Sequence, residues 1–201
     1  MCDNWVSMDQ LTLPQPTVED VQAACDEFDK ENALVEDAIR QLREHFPRNV
    51  EVSQVLLKVL VLNKLYSAFV RDIDIEPMAR HIAGLNLDPL LADGSPNAVG
   101  LITKCGLPRR YFAFATKFCT WHNPNAYAIY DSAVDKCLWR YKKKDHFATF
   151  KRQDLRSYPN FLAMVTTFRN VYGLTSFTLR QIDKFLVQWG YRLQALASRK
   201  G

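Results

Sequence analysis

Apolar residues recur at spacings of three and four along almost the whole chain, and no stretch shows the alternation of a half-buried strand. This period confines the molecule to an all-α fold, because a helix is the element that gathers such residues into one stripe. Seven glycines and nine prolines in 201 residues leave room for long helices. Thr17 ahead of Glu19 and Asp20 predicts a helix start, since a capping hydroxyl and first-turn acids complement the unpaired amides. That helix is expected to run to about residue 30. A second, over residues 33–46, carries Leu34, Val35, Ala38, Ile39, Leu42 and Phe46 on one face and stops at Pro47. Residues 52–70 are apolar on nearly all sides, as in a central helix, with Asn63 and Tyr66 as its polar exceptions. Further helices are predicted over 78–83, 97–105, 111–121, 132–141, 147–155, 161–172 and 179–196. The connection 85–100 has room for one more turn. Thr178 and Gln181 form a capping box for the last helix.

The length suits a single core, so we expect one folded unit: acidic helices over residues 1–50 packed on a domain spanning 51–201. No apolar run approaches the roughly 20 residues of a membrane span. Residues 1–10 hold Asp3 and Asp9 and lack a basic and apolar leader, so a cytoplasmic location is expected. Five scattered cysteines read as reduced thiols without disulfides. Cys105, Cys119, Cys137 and His122 lack the spacing of a zinc or iron–sulfur site, and there is no glycine-rich nucleotide loop, so neither metal nor cofactor is expected.

Charge is divided unevenly. Residues 1–100 carry 8 basic and 17 acidic side chains, whereas residues 101–201 carry 18 and 5. The basic half is the better polyanion surface; alternatively the halves neutralise one another at a seam.

The most informative stretch is 97–138. A helix ends near Cys105, Gly106-Leu107-Pro108 turns the chain, Arg109 and Arg110 follow, and a second helix starts. Gly106 lets a partner approach the backbone, and arginines beside unpaired amides suit a phosphate. The same residues also fit a plain αα-hairpin with a solvated basic turn. Further on, Asp131 sits immediately before a helix as its N-cap, flanked by Tyr127, Ile129 and Tyr130. The run Arg140 and Lys142 to Lys144 at that helix's end suits phosphates or the helix dipole.

The order of helix, glycine turn, helix, apolar passage and capping aspartate resembles the helix-hairpin-helix DNA glycosylases, in particular the 8-oxoguanine glycosylase-like proteins of bacteria and archaea. FATKFCTWHNPNAYAIYDSAV (114–134) and LTSFTLRQIDKFLVQWG (174–190) carry most of the likeness, which spans roughly 55–190. The resemblance implies an all-α helix-hairpin-helix domain that grips backbone phosphates through Gly106, Arg109 and Arg110 and uses Asp131 as its catalytic carboxylate. It further implies that a flipped base is read by Gln181 or Asp183 and stacked on Phe185, with Trp121, Tyr127 and Phe118 as further walls. Cleaving an N-glycosidic bond develops positive charge on the sugar, which a held carboxylate stabilises. The turn here is Cys-Gly-Leu-Pro-Arg-Arg in place of the family's Leu-Pro-Gly-Val-Gly type. Where bifunctional members place a Schiff-base lysine, this chain has Arg109, Arg110 and Tyr111, and an arginine cannot act as that amine. A monofunctional enzyme is therefore expected. Lys117 is the helix's one lysine, two turns on, able to reach the site or to project into solvent.

The expected partner is double-stranded DNA carrying a modified base, bound by a monomer without a membrane, in base excision repair or in defence against modified phage DNA. Two other functions fit the same residues: a non-catalytic DNA-binding protein, and a helical module that binds another protein through its acidic half.

Overall fold

A computed structural model describes Leu13 and residues 15–198. The leader reading of residues 1–10 and Cys2 lie outside the described residues. Nine α-helices and one 3-10 helix are present among them, with no strand: α1 Val18–His45, α2 Val52–Leu65, α3 Asp72–Ala83, α4 Leu87–Ala92, α5 Asn97–Thr103, α6 Phe112–His122, α7 Ser132–Asp145, the 3-10 helix Arg152–Arg156, α8 Tyr158–Val171 and α9 Leu179–Ser198. The fold is compact and all-α, built around one continuous apolar core to which α1 to α9 all contribute.

Three element expectations are corrected. The two helices predicted over 17–46 are one 28-residue helix. Asn32, the polar residue at the expected break, sends its side-chain amide back to the Phe28 carbonyl at 2.9 Å and leaves the backbone helical. α2 stops at Leu65, and its solvent side shows Leu57 and Leu60, so it is not wrapped on all sides. The helix expected over 147–155 is only the 3-10 turn, because Phe147 and Phe150 anchor an irregular passage against Phe168 and Trp139. The expected capping box at Thr178 forms, with the Gln181 side chain accepting from the Thr178 amide at 2.9 Å, and the Thr17 hydroxyl, which accepts from the Asp20 amide at 3.1 Å, also belongs to a capping box.

Two packing arrangements position the site. α7 and α9 cross very closely at Gly190, where an added Cβ would lie 2.3 Å from the Ala133 carbonyl oxygen. This contact sets the start of α7, and with it Asp131, against α9. α1 lies along α9 and α2. Ion pairs join α1 to α9 at Asp29–Lys184, Glu27–Arg192 (2.7 Å) and Glu36–Arg180 (2.9 Å). The acidic and basic halves therefore neutralise in part at a seam.

Candidate functional site

Asp131 begins α7 in extended conformation, and its Oδ1 accepts from the amides of Ala133 (2.9 Å) and Val134 (2.8 Å). The approach to it is fixed from both sides. Thr116 of α6 accepts from the Tyr130 amide at 3.0 Å, and Tyr158 of α8 accepts from the Ala128 amide at 3.1 Å. The apolar passage 126–130 is thus threaded between two helices and delivers Asp131 to a cavity of about 260 Å³.

That cavity is walled by Phe28, Asn32 and Glu36 of α1, by Tyr66 and Ser67 at the end of α2, by Lys117 of α6, and by Arg180, Asp183 and Tyr191 of α9. A neighbouring recess reaches Trp121 and shares Glu36, Tyr66, Lys117, Ile129 and Arg180 with it. Arg180 is the hub of the floor. It donates to Asp183 Oδ2, to Glu36 Oε1 (2.9 Å) and to the Tyr66 hydroxyl (3.3 Å), and its guanidinium lies 5.0 Å from the Phe28 ring centre. The Tyr66 hydroxyl donates to the same Glu36 oxygen at 2.7 Å. Asp183 is buried, and its Oδ1 has no hydrogen-bond partner among the described residues. Burial pushes its carboxyl up to about 7 against the pull of Arg180, with Asp131 adding to the rise. Lys117 is buried as well, donating to the Tyr66 carbonyl at 2.7 Å. Burial draws its ammonium below the usual lysine range, and Asp131 and Asp183 offset part of that.

The rim is strained. Ser67 and Phe69 have φ of +47° and +55°, an uncommon left-handed backbone for residues other than glycine. Asn63 holds this turn by donating to the Val70 carbonyl (2.9 Å) and accepting from the Val70 amide (2.7 Å). Phe69, on that turn, is 74% exposed. Immediately beyond it, the Arg71 amide meets the hydroxyl of Tyr111, the residue that begins α6. The rim and the basic turn are therefore tied together. In that turn Gly106 (φ +72°), Arg109 and Arg110 are exposed, and α6 starts with no side-chain cap.

The residues singled out from the sequence divide into two groups. Asp131, Lys117 and Asp183 meet at the cavity, and Trp121 borders the adjoining recess, donating to the Ile39 carbonyl at 2.9 Å. Three expected pocket residues lie elsewhere. Phe185 is fully buried against Tyr141 and Phe168, Tyr127 is core with its hydroxyl on the carbonyls of Leu90 and Ser95, and Gln181 is used as a cap. Phe118 is also core, packed on Trp121 and His122. Helical phase explains the misplacement of Gln181 and Phe185: on α9 the cavity-facing stripe is Arg180, Asp183, Val187 and Tyr191. The sequence reading missed Arg180 and the α1 wall. Phe28, Asn32, Val35 and Glu36 have helical spacing, a signal that was available, but α1 lay outside the stretch that bore the likeness. No cluster of metal-ligating side chains is present among the described residues, and no helix among them is long and apolar enough to cross a membrane.

A family model described as HI_0787_N, an N-terminal domain, matches residues 18–126. The chain belongs to this family. The matched region supplies the α1 wall, Tyr66 and Lys117, whereas Asp131, Arg180 and Asp183 lie beyond it. An uncharacterized protein of Haemophilus influenzae is 34% identical over 139 residues, covering 67% of this chain and 65% of the relative's own length. No solved structure matches.

Proposed function

We propose that this protein is a DNA N-glycosylase that flips a modified base into the cavity between α1, α6 and α9. The observation that carries the reading is Asp131: one carboxylate oxygen is fixed by helix-start amides, and the side chain opens on a cavity walled by the last helix. The volume lies just below the range of about 300–1,000 Å³ usual for small-molecule sites, which suits a single base better than a larger cofactor. Phe28 and Tyr66 supply flat walls, while Asn32 and the carboxyl groups supply polar contacts to a base edge. Outside, Arg109, Arg110 and the uncapped start of α6 form the phosphate grip. Phe69, exposed in the chain between cavity-lining Ser67 and Arg71, which meets Tyr111 of the grip, is the apolar wedge for the gap that a flipped base leaves. In the chemical step Asp131 stabilises the developing oxocarbenium and aligns the nucleophile.

Duplexes each carrying one modified base, assayed with and without alkaline cleavage, test this. Base release is expected from at least one duplex and falls by about 10²–10⁴-fold in Asp131→Asn. Release at the wild-type rate by that variant would overturn the role of Asp131, and salt-sensitive binding with no product would favour the non-catalytic DNA-binding reading.

One observation favours a variant of the mechanism in which strand cleavage follows base loss. Lys117 is buried beside Asp131 with its proton affinity lowered, the setting of an amine nucleophile. Borohydride trapping of a covalent complex that disappears in Lys117→Met supports it, and failure to trap any complex assigns the attack to water.

A further inference from the structure

Acids outnumber cations around the cavity. Exposed Glu31 stands at its edge, and further in Glu36, Asp131 and Asp183 share it with two cations, Lys117 and Arg180. Arg180 is divided between Glu36, Asp183 and the Tyr66 hydroxyl, so it does not neutralise both acids. Of the three, Asp183 is the most buried: its side chain is 2% exposed, against 33% for Glu36. Its Oδ1 is buried and unpartnered among the described residues, on a side chain that lines the cavity, a costly place for an anionic oxygen and one within reach of an occupant. Asp131 is the opposite case, with two amides and the positive end of α7 complementing a negative charge.

We infer that Asp183 holds a proton in the resting site and delivers it to the departing base, while Asp131 remains ionised beside the sugar. This rests on the excision reading above and adds a second chemical role to it. As the C1′–N bond breaks, its electron pair goes to the base. The Asp183 proton passes to a ring nitrogen or carbonyl oxygen of that base, which leaves neutral. Water adds to C1′ and gives its proton to Asp131, so the products are free base and a sugar hydroxyl. Asp183, now a carboxylate, stays paired with Arg180 until solvent returns the proton. The groups facing Asp183 are Glu36 of α1, Tyr66 just after α2, Lys117 of α6, Asp131 ahead of α7, Tyr158 of α8, and Arg180 and Tyr191 of its own helix. Their combined effect, dominated by burial, places its titration near 7. One carboxyl held by helix-start amides and another buried with an unpartnered oxygen is an arrangement that divides the acid role from the charge-stabilising one. The substrate class follows: an electrically neutral modified base, which is a poor leaving group until protonated, in preference to an N-alkylated purine that already carries positive charge.

Single-turnover release is measured on duplexes containing one 8-oxoguanine or one hypoxanthine (neutral bases) and one 7-methylguanine (cationic), between pH 6 and 9, for the full-length wild type, Asp183→Asn and Asp183→Glu. The wild-type rate on a neutral base is expected to fall as pH rises through about 7. In Asp183→Asn that rate drops about 10²-fold and loses the pH dependence, with partial rescue in Asp183→Glu. The loss on 7-methylguanine, where release is seen, is at least tenfold smaller. Equal losses on both kinds of base overturn the proton-donor role and make Asp183 a packing residue. Should Asp183→Asn not fold, the wild-type profile on the neutral base decides alone, and a flat profile overturns the role. Absence of release from every duplex by the wild type overturns the excision reading itself, a result distinct from release that ignores Asp183.

Discussion

Phe69 combines two features that stability alone does not favour: a left-handed backbone, costing on the order of 1–2 kcal/mol for an L-residue, and a large apolar ring held in water. Replacing it with glycine removes both, at the cost of glycine's greater freedom when unfolded. Phe69→Gly is therefore expected to change the unfolding free energy by no more than about 1 kcal/mol, measured in denaturant, while base release falls at least tenfold. A matching loss of stability and activity would mark the ring as structural. At this scale the sequence is informative where chemistry is local. Asp131 could be found because an N-cap announces itself within four residues, and Asn63 because a polar side chain in an apolar helix needs a partner, which proves to be Val70. Phe69 gave no such sign, since neither its exposure nor its backbone angle has a one-residue signature. Asp183 was visible as a candidate, but its partner Arg180 was not, because a neighbouring Arg reads as a solvated charge until α1 covers it.

Among the elements, helix starts were more legible than helix continuity. Thr17, Asp131 and Thr178 each begin a helix through a side-chain bond, whereas nothing local distinguishes the intact α1 from two helices meeting at Asn32. The closeness of α7 and α9 was equally hidden, since Gly190 looks like an ordinary helix-weakening residue until Ala133 is seen against it. In isolation Gly190→Ala would favour the helix by about 1 kcal/mol. Here the new Cβ meets backbone, so the two helices must part, and we expect a net destabilisation of about 3 kcal/mol in denaturant unfolding. Because this crossing sets Asp131 against Asp183, activity should fall further than the loss of folded protein accounts for. An unaltered rate per folded molecule would show that the separation of the two carboxyl groups is not set by this contact.

For the whole molecule, the charge asymmetry was plain in the composition but ambiguous in meaning, and the pairs joining α1 to α9 show that part of it is internal. Acid sensitivity is a second property of the whole. Burial, with Lys58 and Arg43 nearby, depresses the His122 imidazole to about 3, and its Nε2 has no partner among the described residues. Below pH 6.5 the unfolded chain takes up a proton there that the folded chain refuses, so stability is full above that pH and declines as pH drops toward 3. The loss from this group is about 2 kcal/mol at pH 5. His122→Phe, which keeps the ring contacts with Phe118 and Trp121, should therefore narrow the gap between denaturant midpoints at pH 7.5 and pH 5; an unchanged gap would assign acid sensitivity to the carboxylates. Glu36 and Arg180 meet across 144 positions of sequence. A cavity built on such a junction has no existence in a fragment that lacks either α1 or α9. Whatever occupies it acts as a clasp on the tertiary structure, so that saturation by ligand and resistance to unfolding must rise together.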